Sequence, residues 1–391
     1  MKPLLTLAIL LTMIHNPSQA APSFADFDQR ARAGEPLTVV FFGGSLTWGA
    51  NASDPQRTSY RGLMMEYLRQ RYPKAPFVFH DAAIGGTGSQ LGLFRLDRDV
   101  LAYRPDLVFY DFTANDDLYG SERPPLVSYE TILREMIGRG IPVVQAFFGF
   151  RFNFGKDYNL EQLPRRRDHL RLAAAYQTAV GDAFPLIQGQ LESGKETLAH
   201  LWPFDGAHPD DTGYRLFYEA VRKGFEDAVA AKRVCQLPEK PVFGIYSKRT
   251  RHRLVEHDLP AGWTRAKTYR TSFWFDGLSS RWMDDVALCS TGQPLKVEFT
   301  GTLVGIFGEA DQNSLSFRVN VDDQPVLYQP NPKEPGTAIW PFDLKKFGTG
   351  RLMVWRLLAS QMPPGKHTLE ISPIISTNGQ LRIESICFAG E

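Results

Sequence analysis

Between Leu37 and about Ala230, short apolar runs alternate with stretches of helical period. Leu37-Thr38-Val39-Val40-Phe41-Phe42 is nearly continuous in apolar residues and has the length of a strand. After it, Leu63, Met64, Tyr67 and Leu68 repeat at helical spacing within Tyr60 to Arg71. Phe77-Val78-Phe79, Asp106 to Phe112 and Ile141 to Phe148 read as further strands. Ser89 to Tyr103, Val127 to Gly138, Arg167 to Val180 and Thr212 to Ala231 read as helices. Strands apolar on both faces and separated by helices form a parallel sheet covered on either side. The chemistry of such a sheet is expected beyond the carboxyl ends of its strands.

The pattern changes near Arg233 to Pro241, where helical spacing stops and Pro238 and Pro241 mark a linker. Beyond it the period is two. Leu295, Val297 and Phe299 alternate with Lys296, Glu298 and Thr300, and Leu315, Phe317, Val319 and Val321 alternate with Ser316, Arg318 and Asn320. Leu369 and Ile371 follow the Pro363-Pro364-Gly365 turn, and Leu381 and Ile383 open a last strand. Short alternating strands between turns predict a β-sandwich. The expected division is 24–235 for the α/β domain and 240–391 for the sandwich, in keeping with the usual ceiling of about 250–300 residues on a single core.

The first 20 residues stand apart. Lys2 is a minimal basic start, Leu4 to Ile14 form a short apolar core, and Ser18-Gln19-Ala20 offers a small-x-small cleavage pattern. They read as an export signal cut after Ala20, making the mature protein secreted or periplasmic. The apolar run is short for a bilayer span, so no stable membrane insertion is expected. Lys plus Arg (44) nearly equals Asp plus Glu (43), which leaves no electrostatic footprint for nucleic acid. Cys235, Cys289 and Cys387 make neither a disulfide framework nor a zinc site, and their odd number leaves at least one thiol outside any internal bridge.

Four places carry candidate chemistry. Gly43-Gly44-Ser45-Leu46-Thr47 directly follows the first strand, and glycines there let the chain turn and expose a serine hydroxyl. Asp81 to Ser89, with Gly85, Gly86 and Gly88, brings backbone N–H groups toward a helix start. Thr113-Ala114-Asn115-Asp116 follows the third strand and offers a side-chain amide. Asp205-Gly206-Ala207-His208-Pro209 puts a carboxylate three residues before an imidazole, close enough to fix its tautomer. Singly, each also reads as an ordinary turn or cap.

In this order the four blocks resemble the SGNH/GDSL hydrolase superfamily over roughly residues 36 to 230. The resemblance implies a flavodoxin-like three-layer α/β/α sandwich with a central parallel sheet. It also implies Ser45 as nucleophile, Asp205 and His208 as its acid–base partners, and an oxyanion hole from Ser45, Gly86 and Asn115. No metal or organic cofactor is implied. Three positions depart from the usual pattern: Gly44 stands where Gly-Asp-Ser has Asp, Asp81 where the second block opens with Asn, and Ala114 where Gly precedes the oxyanion Asn.

Such enzymes act on many esters. Export, aromatic residues beside the blocks (Trp48, Tyr119, Trp202 and Phe204) and an appended jelly-roll-like sandwich point to an acetylated carbohydrate as substrate. Each aromatic is equally well a core residue. Phe148 to Gly155 reads as one wall of the cleft, with Arg151 facing a polar or anionic sugar, or as a loop packed down for stability. Arg165-Arg166-Arg167 reads as a solvated helix start. A lipid-directed esterase, an O-acetyltransferase and a non-catalytic glycan-binding protein remain alternatives, and oligomeric state is open.

Overall fold

A computed structural model describes residues 21–116, 126–154, 160, 163–269, 281–328, 339, 341–342, 344 and 351–390. The leader expected at 1–20 and the candidate Tyr119 lie outside the described residues. The first region runs α1 (Phe24–Ala33), β1 (Leu37–Gly43), α2 (Ser45–Trp48), α3 (Tyr60–Arg71), β2 (Phe77–Ala83), α4 (Ser89–Asp99), β3 (Leu107–Asp111), α5 (Val127–Gly138) and β4 (Val143–Phe147). It continues with α6 (Pro164–Tyr176), β5 (Ala179–Asp182), α7 (Ala183–Glu192), α8 (Leu198–Leu201) and α9 (Asp211–Ala230).

The five strands form one parallel sheet in the order β2-β1-β3-β4-β5, the flavodoxin-like order. Residues of β1, β3 and β4 are buried throughout apart from Thr38, as expected of strands covered on both faces. Register decides where the chemistry falls. Gly43 of β1 stands opposite Ala83 of β2 and Asp111 of β3, so three strands end at one level. The loops carrying Ser45, Gly86 and Asn115 therefore leave the sheet side by side, at the point where strand order reverses.

Two helix ends depart from expectation. The helix read from Ser89 to Tyr103 ends at Asp99, and a separate 3₁₀ turn covers Leu101–Tyr103. The segment read as a helix from Arg167 to Val180 stops at Tyr176, because Gln177 takes a left-handed conformation with φ of 52°, and Val180 belongs to β5. The helical period of an amphipathic stretch does not mark where a four-residue strand begins.

The second region contains β6 (Lys248–Arg253), β7 (Trp263–Lys267), β8 (Asp285–Cys289), β9 (Leu295–Thr300), β10 (Leu303–Ala310), β11 (Phe317–Val321) and β12 (Gln324–Val326). It ends with β13 (Leu352–Ser360), β14 (Lys366–Pro373) and β15 (Leu381–Gly390). These make two antiparallel sheets, one in the order β13-β10-β15-β8-β7 with β6 on β15, the other β12-β11-β14-β9. Leu295, Phe299, Val319 and Leu369 from one sheet share a core with Val304, Ile306, Ile383 and Ile386 from the other.

Strand β10 breaks the two-residue alternation and is buried along its whole length. Its Ile306 joins the sandwich core, whereas Leu303 and Phe307 join the core of the α/β region. The two regions are consequently in close contact. The Phe94 ring lies 5.6 Å from Trp355, and the Arg95 guanidinium sits over Phe42 and Trp282. Glu130 of α5 accepts the N–H groups of Val242, Phe243 and Gly244, tying down the linker. The three cysteines are free and buried, and burial raises the Cys387 thiol to about 12.

Candidate active site

Ser45 is the first residue of α2. The turn that puts it there needs two glycines. A Cβ on Gly43 would overlap Thr47 Oγ1 and the Asp111 carbonyl, and one on Gly44 would overlap Asn115 Oδ1. The Gly-Gly-Ser spelling is thus tied to Asn115, whose amide occupies the space that a side chain at position 44 would fill. Ser45 is 3% exposed.

Below α2 lies a buried polar network. Thr47 Oγ1 donates to Asp111 Oδ2 at 2.8 Å and is 3.0 Å from Tyr60 OH. Burial pushes the Asp111 carboxyl up to about 7, the Thr47 hydroxyl opposing that rise. Arg61 binds the carbonyls of Thr47 and Trp48 and pairs with Asp81 at 3.5 Å. Asp81 also accepts the Ala83 N–H and pairs with Arg281, which gives the atypical opening residue of its loop a structural place.

The imidazole arrives from the other end of the chain. Asp210 caps α9 by accepting the N–H groups of Thr212 and Gly213, so the preceding loop is held against a 20-residue helix. His208 Nε2 lies 2.9 Å from Ser45 Oγ, and His208 Nδ1 lies 3.0 Å from Asp205 Oδ2. Asp205 Oδ1 accepts the N–H groups of Ala207 and His208, at 2.7 Å each. Partial burial pushes the Asp205 carboxyl up, but the His208 ring and these two N–H groups outweigh it and hold it at about 2. A carboxylate at Nδ1 selects the tautomer that leaves Nε2 to accept the serine proton.

Gly86 and Asn115 line one cavity of about 510 Å³, together with residues of the sandwich including Leu303, Trp355 and Met362. Gly86 is exposed with φ of 71°, and a Cβ there would meet nothing within 4 Å. Among the described residues the Asn115 side-chain amide has no hydrogen-bond partner, while Asp116 beside it accepts the Ser89 N–H at the start of α4.

The candidate substrate contacts divide. Phe204 is 73% exposed, and Arg151 is exposed, its N–H donating to the Gly206 carbonyl at 2.9 Å. Trp48 is half-buried on α2. Trp202 is a correction: it is fully buried between Phe154 and Phe217, so its face is closed to a sugar. The arginine run is a second correction. Arg165 and Arg166 are buried, Arg166 pairs with Asp182 at 2.5 Å, and only Arg167 is exposed. The Phe148 to Phe154 loop does both things expected of it. Phe148 and Phe154 pack down on Phe217 and Phe184, whereas Phe152 is 55% exposed.

Sequence reading missed Asn51, whose Nδ2 donates to Asp205 Oδ2 at 2.9 Å, and the Thr47–Asp111 pair. Partners 154 and 64 residues apart leave no local pattern. Among the described residues no group of three or more His, Cys, Asp or Glu is placed to hold a metal ion. Nor, among them, is any helix long and apolar enough to cross a membrane.

Residues 41–216 match the model of the GDSL-like lipase/acylhydrolase family. No curated protein sequence matches the chain. Among solved structures, a two-domain esterase (CEX) active on acetylated mannans, co-crystallised with mannopentaose, superposes with a TM-score of 0.72 at 20% identity. That match covers 94% of each chain. A second structure described as a two-domain esterase (CEX) active on acetylated mannans gives 0.70 at the same identity and coverage. Axe2, an acetylxylan esterase from Geobacillus stearothermophilus, matches half of this chain and 96% of its own at 18% identity, with a TM-score of 0.41.

Proposed function

Because residues 41–216 belong to the GDSL-like lipase/acylhydrolase family, a family of ester hydrolases, we propose that this protein is a serine esterase that removes O-acetyl groups from an extracellular polysaccharide or oligosaccharide. The observation that carries the reading is the run of contacts from Asp205 through His208 to Ser45. In the mechanism, Ser45 Oγ attacks the acetyl carbonyl carbon while His208 Nε2 takes its proton. The tetrahedral oxyanion is held by the N–H groups of Ser45 and Gly86 and by the Asn115 amide. Collapse breaks the ester bond, and His208 returns its proton to the departing sugar hydroxyl. Water then attacks the acetyl-Ser45 ester, again losing a proton to His208, and acetate leaves as Ser45 regains its hydrogen. Asp205 keeps the imidazole oriented and stabilises its charge throughout.

The carbohydrate assignment rests on two supports. The fold is shared along nearly the whole chain with an esterase active on acetylated mannans, sandwich included. The cavity beside Gly86 and Asn115 is walled partly by the sandwich, and exposed Phe204 and Arg151 stand on the loops flanking His208. We read 24–235 as the hydrolase domain, 240–391 as an accessory sandwich that shapes the cleft, and 1–20 as the leader that exports the enzyme. A serine-directed phosphonate ester tests the nucleophile. It is expected to add its mass to a peptide containing Ser45 and to leave Ser45→Ala unlabelled. Equal labelling of that variant would contradict the assignment.

A further inference from the structure

The nucleophile and the Asp205–His208 loop are joined by a second connection besides the triad. After α2 the chain turns through Gly49 and Asn51, whose φ values are 96° and 69°. The segment from Ala50 to Thr58 then lies against the loop that carries Asp205 and His208. Tyr214 OH donates to the Ala50 carbonyl at 2.8 Å, and Asp211 accepts from Ser53 N, Ser53 Oγ and Thr58 Oγ1. Between these anchors, Asn51 Nδ2 donates to Asp205 Oδ2 at 2.9 Å and to the His208 carbonyl at 3.3 Å.

Asp205 Oδ2 is the oxygen that faces His208 Nδ1. The Asp205 side chain is 44% exposed, so water competes for it and its two backbone donors engage only Oδ1. An amide on Oδ2 fixes the rotation of the carboxylate and favours its ionised form. Asparagine suits the place because it tolerates the left-handed backbone and supplies the donor.

On the serine-esterase reading above, we propose that Asn51 is a positioning residue: its amide holds the Asp205 carboxylate against the His208 ring during proton transfer. It acts through Asp205 and touches neither substrate nor the reacting atoms. The other charged groups on elements around this loop include Asp54 and Arg57 on the same segment, Arg151, His200 of α8, and Asp210, Asp211 and Arg215 of α9. Of these the variants below touch only Asp211, which loses the Ser53 hydroxyl in Ser53→Ala.

The test measures kcat and KM for 4-nitrophenyl acetate from pH 5 to 9, with thermal unfolding, in the full chain and in four variants. Asn51→Gly keeps the left-handed turn and loses the amide. It is expected to unfold near the wild-type temperature with kcat down about tenfold, the loss of one hydrogen bond to a charged group, and KM little changed. Asn51→Asp sets a second carboxylate beside Asp205, which favours the protonated imidazole. The acidic limb of its profile is expected to move to higher pH. Ser53→Ala loosens the same segment without touching Asp205 and is expected to leave that limb in place. Ser45→Ala is expected to be inactive. Wild-type rate and profile in both Asn51 variants overturn the inference. So does a pH-independent loss matched by Ser53→Ala, which would make Asn51 a turn residue only. Activity persisting in Ser45→Ala would instead overturn the esterase reading beneath it.

Discussion

His208 Nε2 stands 2.9 Å from Ser45 Oγ although 163 residues separate the two in the chain. The distance is that of a hydrogen bond, and Ser45 sits just beyond the carboxyl end of β1. Ser45→Ala keeps the Cβ and removes only the hydroxyl. It is expected to lower kcat for 4-nitrophenyl acetate by roughly 10⁶-fold without moving the thermal unfolding midpoint. Asp205→Asn is expected to cost about 10⁴-fold, because an amide no longer selects the tautomer with Nε2 free.

The overlap between a side chain at position 44 and Asn115 leads to a less obvious expectation. Asn115→Ala is expected to reduce kcat by about 10²–10³-fold through loss of one oxyanion donor. Gly44→Asp restores the usual Gly-Asp-Ser spelling, yet it is expected to lose activity too, because the new Cβ displaces the Asn115 amide. Steady-state kinetics of the two variants check this. Wild-type kcat in Gly44→Asp would separate Asn115 from the turn.

Asp111 gives a pH-dependent signature in stability. Burial raises its folded-state value from 3.8 to about 7. A raised carboxyl favours the folded state only when protonated, so no penalty exists below pH 3.8, it grows as pH rises toward 7, and it is complete above. Asp111→Asn is therefore expected to unfold at the wild-type temperature near pH 4 and several degrees above it at pH 8. Thermal unfolding at both pH values is the measurement.

Trp202 and Phe204 lie two residues apart and are expected to behave oppositely. Trp202→Ala empties a buried site and should cost about 3–5 kcal/mol of stability, read from denaturant unfolding. Phe204→Ala removes an exposed ring and should leave stability unchanged. Its expected effect is a higher KM for an acetylated oligosaccharide with none for 4-nitrophenyl acetate.

These contrasts show which parts of the molecule the chain discloses locally. The sheet was legible because β1, β3 and β4 are apolar on both faces, and the sandwich because β9 and β11 alternate. The blocks at Ser45, Gly86, Asn115 and Asp205–His208 were legible because a serine turn, glycine-rich loops and a carboxylate three residues before a histidine each have a sequence form. The burial of Trp202, Arg165 and Arg166 was not, since an aromatic or arginine looks the same whether a partner covers it or water does. Asn51 and Asp111 were hidden for a related reason. Their meaning lies in an oxygen supplied from far along the chain, and only the fold brings it near.

The proposed activity is tested most directly by acetate release from acetylated mannan, and from other acetylated plant, algal and bacterial glycans, by the wild-type protein and by Ser45→Ala. The account predicts that the wild type frees acetate from at least one of these polymers and that the variant frees none. Acetate release that survives in Ser45→Ala, or a wild-type protein that acts on no glycan and no small ester, would contradict it.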